Sequence, residues 1–159
     1  MKTKKISQSI SIISDVMQPS QANPAGNVHG GEIMKMMDTC AGVTAMRHAN
    51  SNVVTLRVDE LIFYKPIFVG QLVICESKMV FTGRTSMEIN VTVKVEDMQT
   101  DTPPIIALTA YFTFVALDSN GHTCDVPQLE LATEEEKCEF EKRKQRYLSF
   151  KNKKSSNDC

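Results

Sequence analysis

The sequence lacks a surplus of either charge: 18 Lys and Arg stand against 19 Asp and Glu, a formal net charge of −1. Overall charge therefore predicts no attraction to nucleic acid or to a membrane surface. Long apolar runs are also missing, and no stretch reaches the length needed to span a bilayer. The first residues, MKTKKISQSISIISDV, begin basic and turn apolar. Their apolar positions alternate with Ser and Gln, and no continuous apolar stretch or small-residue cleavage site follows, so they read as a strand rather than a signal peptide. Metal-binding patterns are absent as well. Cys40, Cys75, Cys124, Cys138 and Cys159 are odd in number and widely spread, without a CxxC or a Cys/His pair at ligand spacing. That excludes a zinc site and suits free thiols in a reducing, cytoplasmic setting. There are no internal repeats. What remains is 159 residues with 42% hydrophobic and 23% charged side chains, the size and composition of one globular domain.

Residues 6–17 alternate in the strand manner, with Ile6, Ile10 and Ile12 on one face. The breaker-rich segment 18–28 (QPSQANPAGNV) then marks a long shaped loop. From His29 to His48 the chain runs without proline for about five helical turns. Apolar residues occupy most of its circumference, which predicts a buried helix. Four strands follow at 53–65, 71–82, 85–96 and 105–117, the middle two joined by a tight turn at Gly83 and Arg84. Thr133, with Glu136 three residues later, forms a capping box that opens a second helix over 133–150. The expected division is a domain over 1–132, this helix packed on it, and a disordered polar tail over 151–159. The fold class is α+β: a central helix apolar nearly all round requires a curved antiparallel sheet wrapped around it.

The stretch with most chemical content is residues 23–38, NPAGNVHGGEIMKMMD. Gly30 and Gly31 at the helix start leave backbone N–H groups approachable, backed by the positive end of the helix dipole. Such donors suit an anion or a developing oxyanion; equally, the glycines could serve only close packing. Asp38 lies about two turns on, on nearly the same face as Gly31. It is either a reactive carboxylate among apolar residues or the partner of Lys35 on a wet helix edge. Asn23 is a turn former or the holder of a water or carbonyl oxygen. His29 is a cap, a ligand contact or a base. The hairpin tip of Gly83, Arg84, Thr85 and Ser86, and the basic run around Arg143, are solvated surface or phosphate contacts.

The segments NPAGNVHGGEIMKMMDTCAG, VVTLRVDELIFYKPIFVG and FTGRTSMEINVTV, in this order and spacing, resemble the acyl-CoA thioesterases of the hotdog superfamily. The resemblance covers roughly residues 8–118, and it is nearest to single-domain bacterial enzymes and the paired domains of the animal cytosolic long-chain acyl-CoA hydrolase. It implies a hydrolase of acyl-CoA that needs no cofactor. It also implies a double hotdog dimer with continuous sheet, assembled further into a trimer of dimers, with active sites between subunits. Asn23 and Asp38 fall on the family's catalytic Asn and acid, contributed by opposite chains. Coenzyme A contacts are implied around Gly83, Arg84, Thr85 and Ser86 and at the basic helix near Arg143. For a thioester substrate, the N–H groups near Gly30 and Gly31, with His29 beside them, are expected to polarise the carbonyl and form the oxyanion and substrate-binding turn. Met36, Met37 and Phe63 are candidates for the acyl lining. Two other readings compete. A hotdog hydratase would need a histidine and an acid beside the carbonyl, and His29, His48 and His122 do not match. A non-catalytic acyl-CoA sensor would usually carry a DNA-binding segment.

Overall fold

The computed structural model describes residues 2–157. Its elements run β1 (Thr3–Lys5), a 3-10 turn (Ile6–Gln8), β2 (Ser11–Val16), a second 3-10 turn (Pro19–Gln21), α1 (Gly30–Ala49), β3 (Asn52–Phe63), β4 (Leu72–Thr82), β5 (Ser86–Glu96), β6 (Ile105–Leu117), β7 (Gln128–Glu130) and α2 (Glu134–Asn157). The main sheet is antiparallel, in the order β2-β4-β5-β6-β3, and short β1 pairs in parallel with β7.

The long strands form because their apolar residues alternate, and the sheet turns that alternating face to α1. Val91, Val93, Leu108, Ala110 and Phe112 are all at most 1% exposed beneath it. Each large side chain buried this way contributes about 1.5–3 kcal/mol before entropy is counted. The curved sheet around a central helix is thus the arrangement expected from the sequence.

The helix itself corrects one expectation. It buries one face, through Ile33, Met37, Cys40, Ala41, Thr44, Ala45 and His48. The other is open in a single chain: Met34 is 37% and Met46 52% exposed. Polar groups on the buried face are satisfied locally. Thr44 Oγ1 lies 2.7 Å from Ser77 Oγ, which in turn donates to Cys40 O.

The start of the chain differs too. The 3-10 turn at Ile6–Gln8 breaks the predicted alternation, so the three isoleucines share no face. Ser9 and Ser11 are buried instead, while Ile12 is 62% exposed. Serines suit a position where the backbone passes close under α1, and Ser11 O receives the Cys40 thiol.

At the other end, the capping box is present: Thr133 Oγ1 accepts from Glu136 N, and Glu136 Oε2 from Thr133 N. The helix it opens does not stop at residue 150. It continues to Asn157, so the segment expected to be a disordered tail is helical that far, and Asp158 and Cys159 lie outside the described residues.

Candidate active site

The loop into α1 is held from both sides. Val28 N donates to Ile67 O at 2.7 Å, His29 N to Gln21 O at 2.8 Å, and Asn27 bridges to Phe68. Within it Asn23 makes an Asx turn, its Oδ1 accepting from Ala25 N at 3.0 Å, and Gly26 takes the φ of +93° that closes the turn. His29 is the N-cap of α1: its Nδ1 accepts the Gly31 N–H at 3.1 Å. That settles one of the two glycine donors internally. Among the described residues none accepts from Gly30 N–H, so the donor left open at the helix start is Gly30 rather than Gly31.

Gly30 and Asn23 open into one cleft of about 180 Å³, lined also by Ile33, Phe63, Lys65 and Leu108. The ring of Phe63 sits 3.4 Å from where a Cβ on Gly30 would be, so an alanine there would touch it and a longer side chain would press on it. Asp38 is not part of this cleft. It lies eight residues further along α1, roughly 12 Å by helical rise. Its carboxylate is exposed and accepts from Thr55 Oγ1 at 2.6 Å. Among the described residues no ion pair joins it to Lys35. The apolar surroundings expected for Asp38 are therefore solvent within one chain. Thr55 is a polar partner that sequence reasoning missed. It lies on β3, an edge of the sheet, between Val54 (45% exposed) and Leu56 (64% exposed).

The other predicted residues lie elsewhere. At the hairpin tip Gly83 N donates to Ser86 O, and a Cβ on Gly83 would fall 2.6 Å from Ser86 Oγ, so a larger residue there would make the Ser86 hydroxyl turn away. Arg84 is exposed and paired with Asp125 at 2.7 Å. Arg143 corrects the sequence reading. It does not belong to a solvated basic face but is buried at 5% exposure. Its guanidinium bonds Glu88 and Glu60 and stacks 3.6 Å over the Tyr111 ring. Burial pushes the Glu88 carboxyl above its usual range, against the opposing pull of Arg143. With its donors committed to carboxylates, Arg143 fastens α2 to the sheet and is not free to take a phosphate.

Of the acyl-lining candidates, Met37 is fully buried in the core, and Met36 faces a separate groove beside Ile13. Phe63 alone of the three lines the Gly30 cleft. His48 is buried under Pro127, and His122 pairs only with exposed Asp118, so neither stands near Gly30. Among the described residues no group of three or more His, Cys, Asp or Glu could hold a metal, and no helix is long and apolar enough to cross a membrane.

Comparison with known proteins agrees with this architecture. Residues 25–102 match the thioesterase superfamily. The chain is 39% identical over 156 residues to the human cytosolic acyl coenzyme A thioester hydrolase, covering 93% of this chain and 39% of that protein, so it spans about two fifths of that relative's length. It is 34% identical to an uncharacterized acyl-CoA thioester hydrolase of Haemophilus influenzae, covering 80% of this chain and 84% of that one. Among solved structures, an apo-hexameric acyl-CoA thioesterase superposes with a TM-score of 0.90 at 33% identity, over 96% of this chain and 97% of that one. A Staphylococcus aureus acyl-CoA hydrolase in complex with butyryl coenzyme A, coenzyme A and coenzyme A disulfide gives 0.87 at 29%, over 98% and 94%. Fold, helix start and sequence agree, and the chain belongs to the thioesterase superfamily, with its hotdog fold.

Proposed function

We propose that this chain hydrolyses acyl-CoA to a free acid and coenzyme A, in an active site completed by a second copy of itself. The observation that carries the reading is the division of the chemical groups. An open N–H donor and an amide share a cleft at the start of α1, while a hydroxyl-oriented carboxylate lies on an open face two turns away. Neither half is a complete hydrolytic site. Together they are.

The exposed apolar edge of β3 gives a second copy a place to extend the sheet, since an edge strand offers unpaired backbone groups. Asp38 and Thr55 of one chain would then face Asn23 and Gly30 of the other. The hexameric state of the similar thioesterase supports further assembly into a trimer of such dimers. The Staphylococcus aureus hydrolase is also known with an asparagine, an aspartate or a threonine replaced by alanine, and those three positions have the spacing of Asn23, Asp38 and Thr55 here.

The chemistry follows from the groups. Gly30 N–H polarises the thioester carbonyl and stabilises the oxyanion. Asn23 orients the carbonyl or the water. Asp38, held by Thr55, takes a proton from the attacking water or attacks the carbonyl itself to form an anhydride. The thiolate leaves without help from an acid, since a thiol pKa of about 8.5 makes it a good leaving group. No resident cofactor is required by these steps. The hairpin of Gly83, Arg84, Thr85 and Ser86 contacts the coenzyme A portion, a role from which Arg143 is withdrawn by burial. A cytoplasmic location suits the free thiols and the cytosolic human relative.

The test is thiol release from acyl-CoA of increasing chain length by the wild type, Asn23→Ala, Asp38→Ala and a refolded mixture of the two variants. Each variant alone is expected to be inactive. The mixture should recover about a quarter of wild-type activity, because half the dimers are mixed and each mixed dimer regains one of its two sites. A mixture as dead as its components would defeat the shared site; a wild type that releases no thiol would defeat the activity.

A further inference from the structure

Strand β3 does not run regularly past the start of α1. Its partners on β6 go Val58↔Phe112, Asp59↔Tyr111, then Ile62↔Thr109 and Phe63↔Leu108. Two residues, Glu60 and Leu61, thus stand against the single Ala110, which is a bulge. Glu60 has a φ of +52°, a conformation a side chain other than glycine's adopts only under constraint. The constraint is visible. Its Oε2 accepts from Arg143 at 3.0 Å and its Oε1 lies 3.2 Å from the Arg146 guanidinium as an ion pair, so both oxygens face α2.

This irregularity decides where Phe63 points. Strand side chains alternate, and a slip of one residue exchanges the faces. Counting from Val58, which shares the inner face with buried Phe112, a regular strand would turn Phe63 outward. The bulge restores it to the inner face, opposite Leu108, with its ring against Gly30. Within one chain Phe63 is 53% exposed, and it lines the cleft into which Gly30 opens, so the residue has a side towards the cleft as well as one packed on the helix start.

We propose that Phe63 selects the acyl group by its shape beside the carbonyl, and that Glu60 is the positioning residue that aims it. The inference rests on the thioesterase reading. A carbonyl oxygen on Gly30 N–H places the acyl carbon next to the carbonyl only two bonds from that oxygen, under the Phe63 ring. A straight chain presents hydrogens there, whereas a chain branched at that carbon presents a methyl group that the ring excludes. One methyl group in a tight site typically changes kcat/KM by about tenfold or more.

The experiment compares butyryl-CoA with isobutyryl-CoA by thiol release, and reads the ratio of their kcat/KM values. Loss of folded protein lowers both values equally and leaves that ratio unchanged. The wild type should prefer the straight chain by about tenfold, Phe63→Ala by about twofold at most, and Glu60→Gln by about threefold. Glu60→Gln removes the charge at the bulge while leaving the buried pair of Arg143 and Glu88 in place. A wild type without preference, or a Phe63→Ala protein that keeps the full ratio, overturns the gate; an unchanged ratio in Glu60→Gln overturns the positioning. If the wild type hydrolyses neither thioester, the thioesterase reading is what fails. The same ratio, taken from dissociation constants of the two thioesters on the Asp38→Ala protein, then decides the role of Phe63 separately.

Discussion

The two ends of α1 handle polar groups in opposite ways. In its second half, Thr44 and Cys40 meet Ser77 beneath the helix, His48 binds Pro127 O, and Lys4 caps Arg47 O at the C-terminus. Almost every polar group there is spent on the chain itself. In the first half, Gly30 N–H has no partner among the described residues, and Asp38 turns an exposed carboxylate away from the core with one hydroxyl to orient it. A buried polar group costs stability unless paired, so natural cores pair them. Groups left open at a helix start, next to a cleft, are the ones available to bind and react. On the proposed reading, the contrast separates structure from function along a single helix.

Asp38→Ala is the substitution with the largest expected effect. It should lower thioester turnover about a thousandfold, a typical loss for a nucleophile or base, while leaving thermal unfolding within a degree or two of wild type, since the carboxylate is exposed. Thr44→Val should do the reverse. It strips a buried hydroxyl from Ser77 and should cost about 1–2 kcal/mol of stability in urea unfolding, with kcat/KM per folded molecule unchanged. If Asp38→Ala unfolded the protein, or Thr44→Val lowered kcat/KM, the division between the two halves would be wrong. A smaller effect sharpens it further. Thr55→Val keeps the shape of β3 but removes the hydroxyl that orients Asp38, and kcat should fall about tenfold, the value of one hydrogen bond to a charged group, with KM little changed.

How far these halves could be told apart beforehand depended on the range of the interactions. The helices and the four long strands were readable because their signals are local: a period of 3.6 or 2, and a capping box three residues apart. The three-residue pairing of β1 with β7 carries no period and was not readable. Residues 151–157 read as a tail because a polar stretch shows no apolar face, yet nothing in it stops a helix already under way. The site divides in the same manner. Asn23, Gly30 and Asp38 stand within one motif. Thr55 is one threonine in a strand, and its meaning appears only when folding brings it to a helix residue 17 positions earlier. Arg143 reads in the sequence as solvated surface or a phosphate contact for the same reason: its carboxylate partners lie 55 and 83 residues away, and only its basic neighbours are adjacent.

The weakest expected effect belongs to the closed half of the helix and concerns pH. His48 is fully buried, its Nε2 lies 2.7 Å from Pro127 O, and its Nδ1 has no partner among the described residues. The neutral tautomer that donates from Nε2 satisfies this geometry. A second proton at Nδ1 would be buried without an acceptor, so burial, helped by the charge of Lys4, holds the His48 pKa below its ordinary 6.5. In the unfolded chain the ring protonates near 6.5, whereas in the folded protein it does so only at lower pH. Between those two values the unfolded state binds the extra proton, so stability falls as pH drops below about 6.5 and is fully retained above it. One proton limits the slope to about 1.4 kcal/mol per pH unit. Urea unfolding between pH 7.5 and 5 should show that decline in the wild type and a flatter profile in His48→Gln, whose amide can reach Pro127 O without titrating. Identical slopes would mean that His48 is not the group that links acid to unfolding; Glu88 could not take its place, because a carboxyl held above its usual range in the folded state gains stability as pH falls.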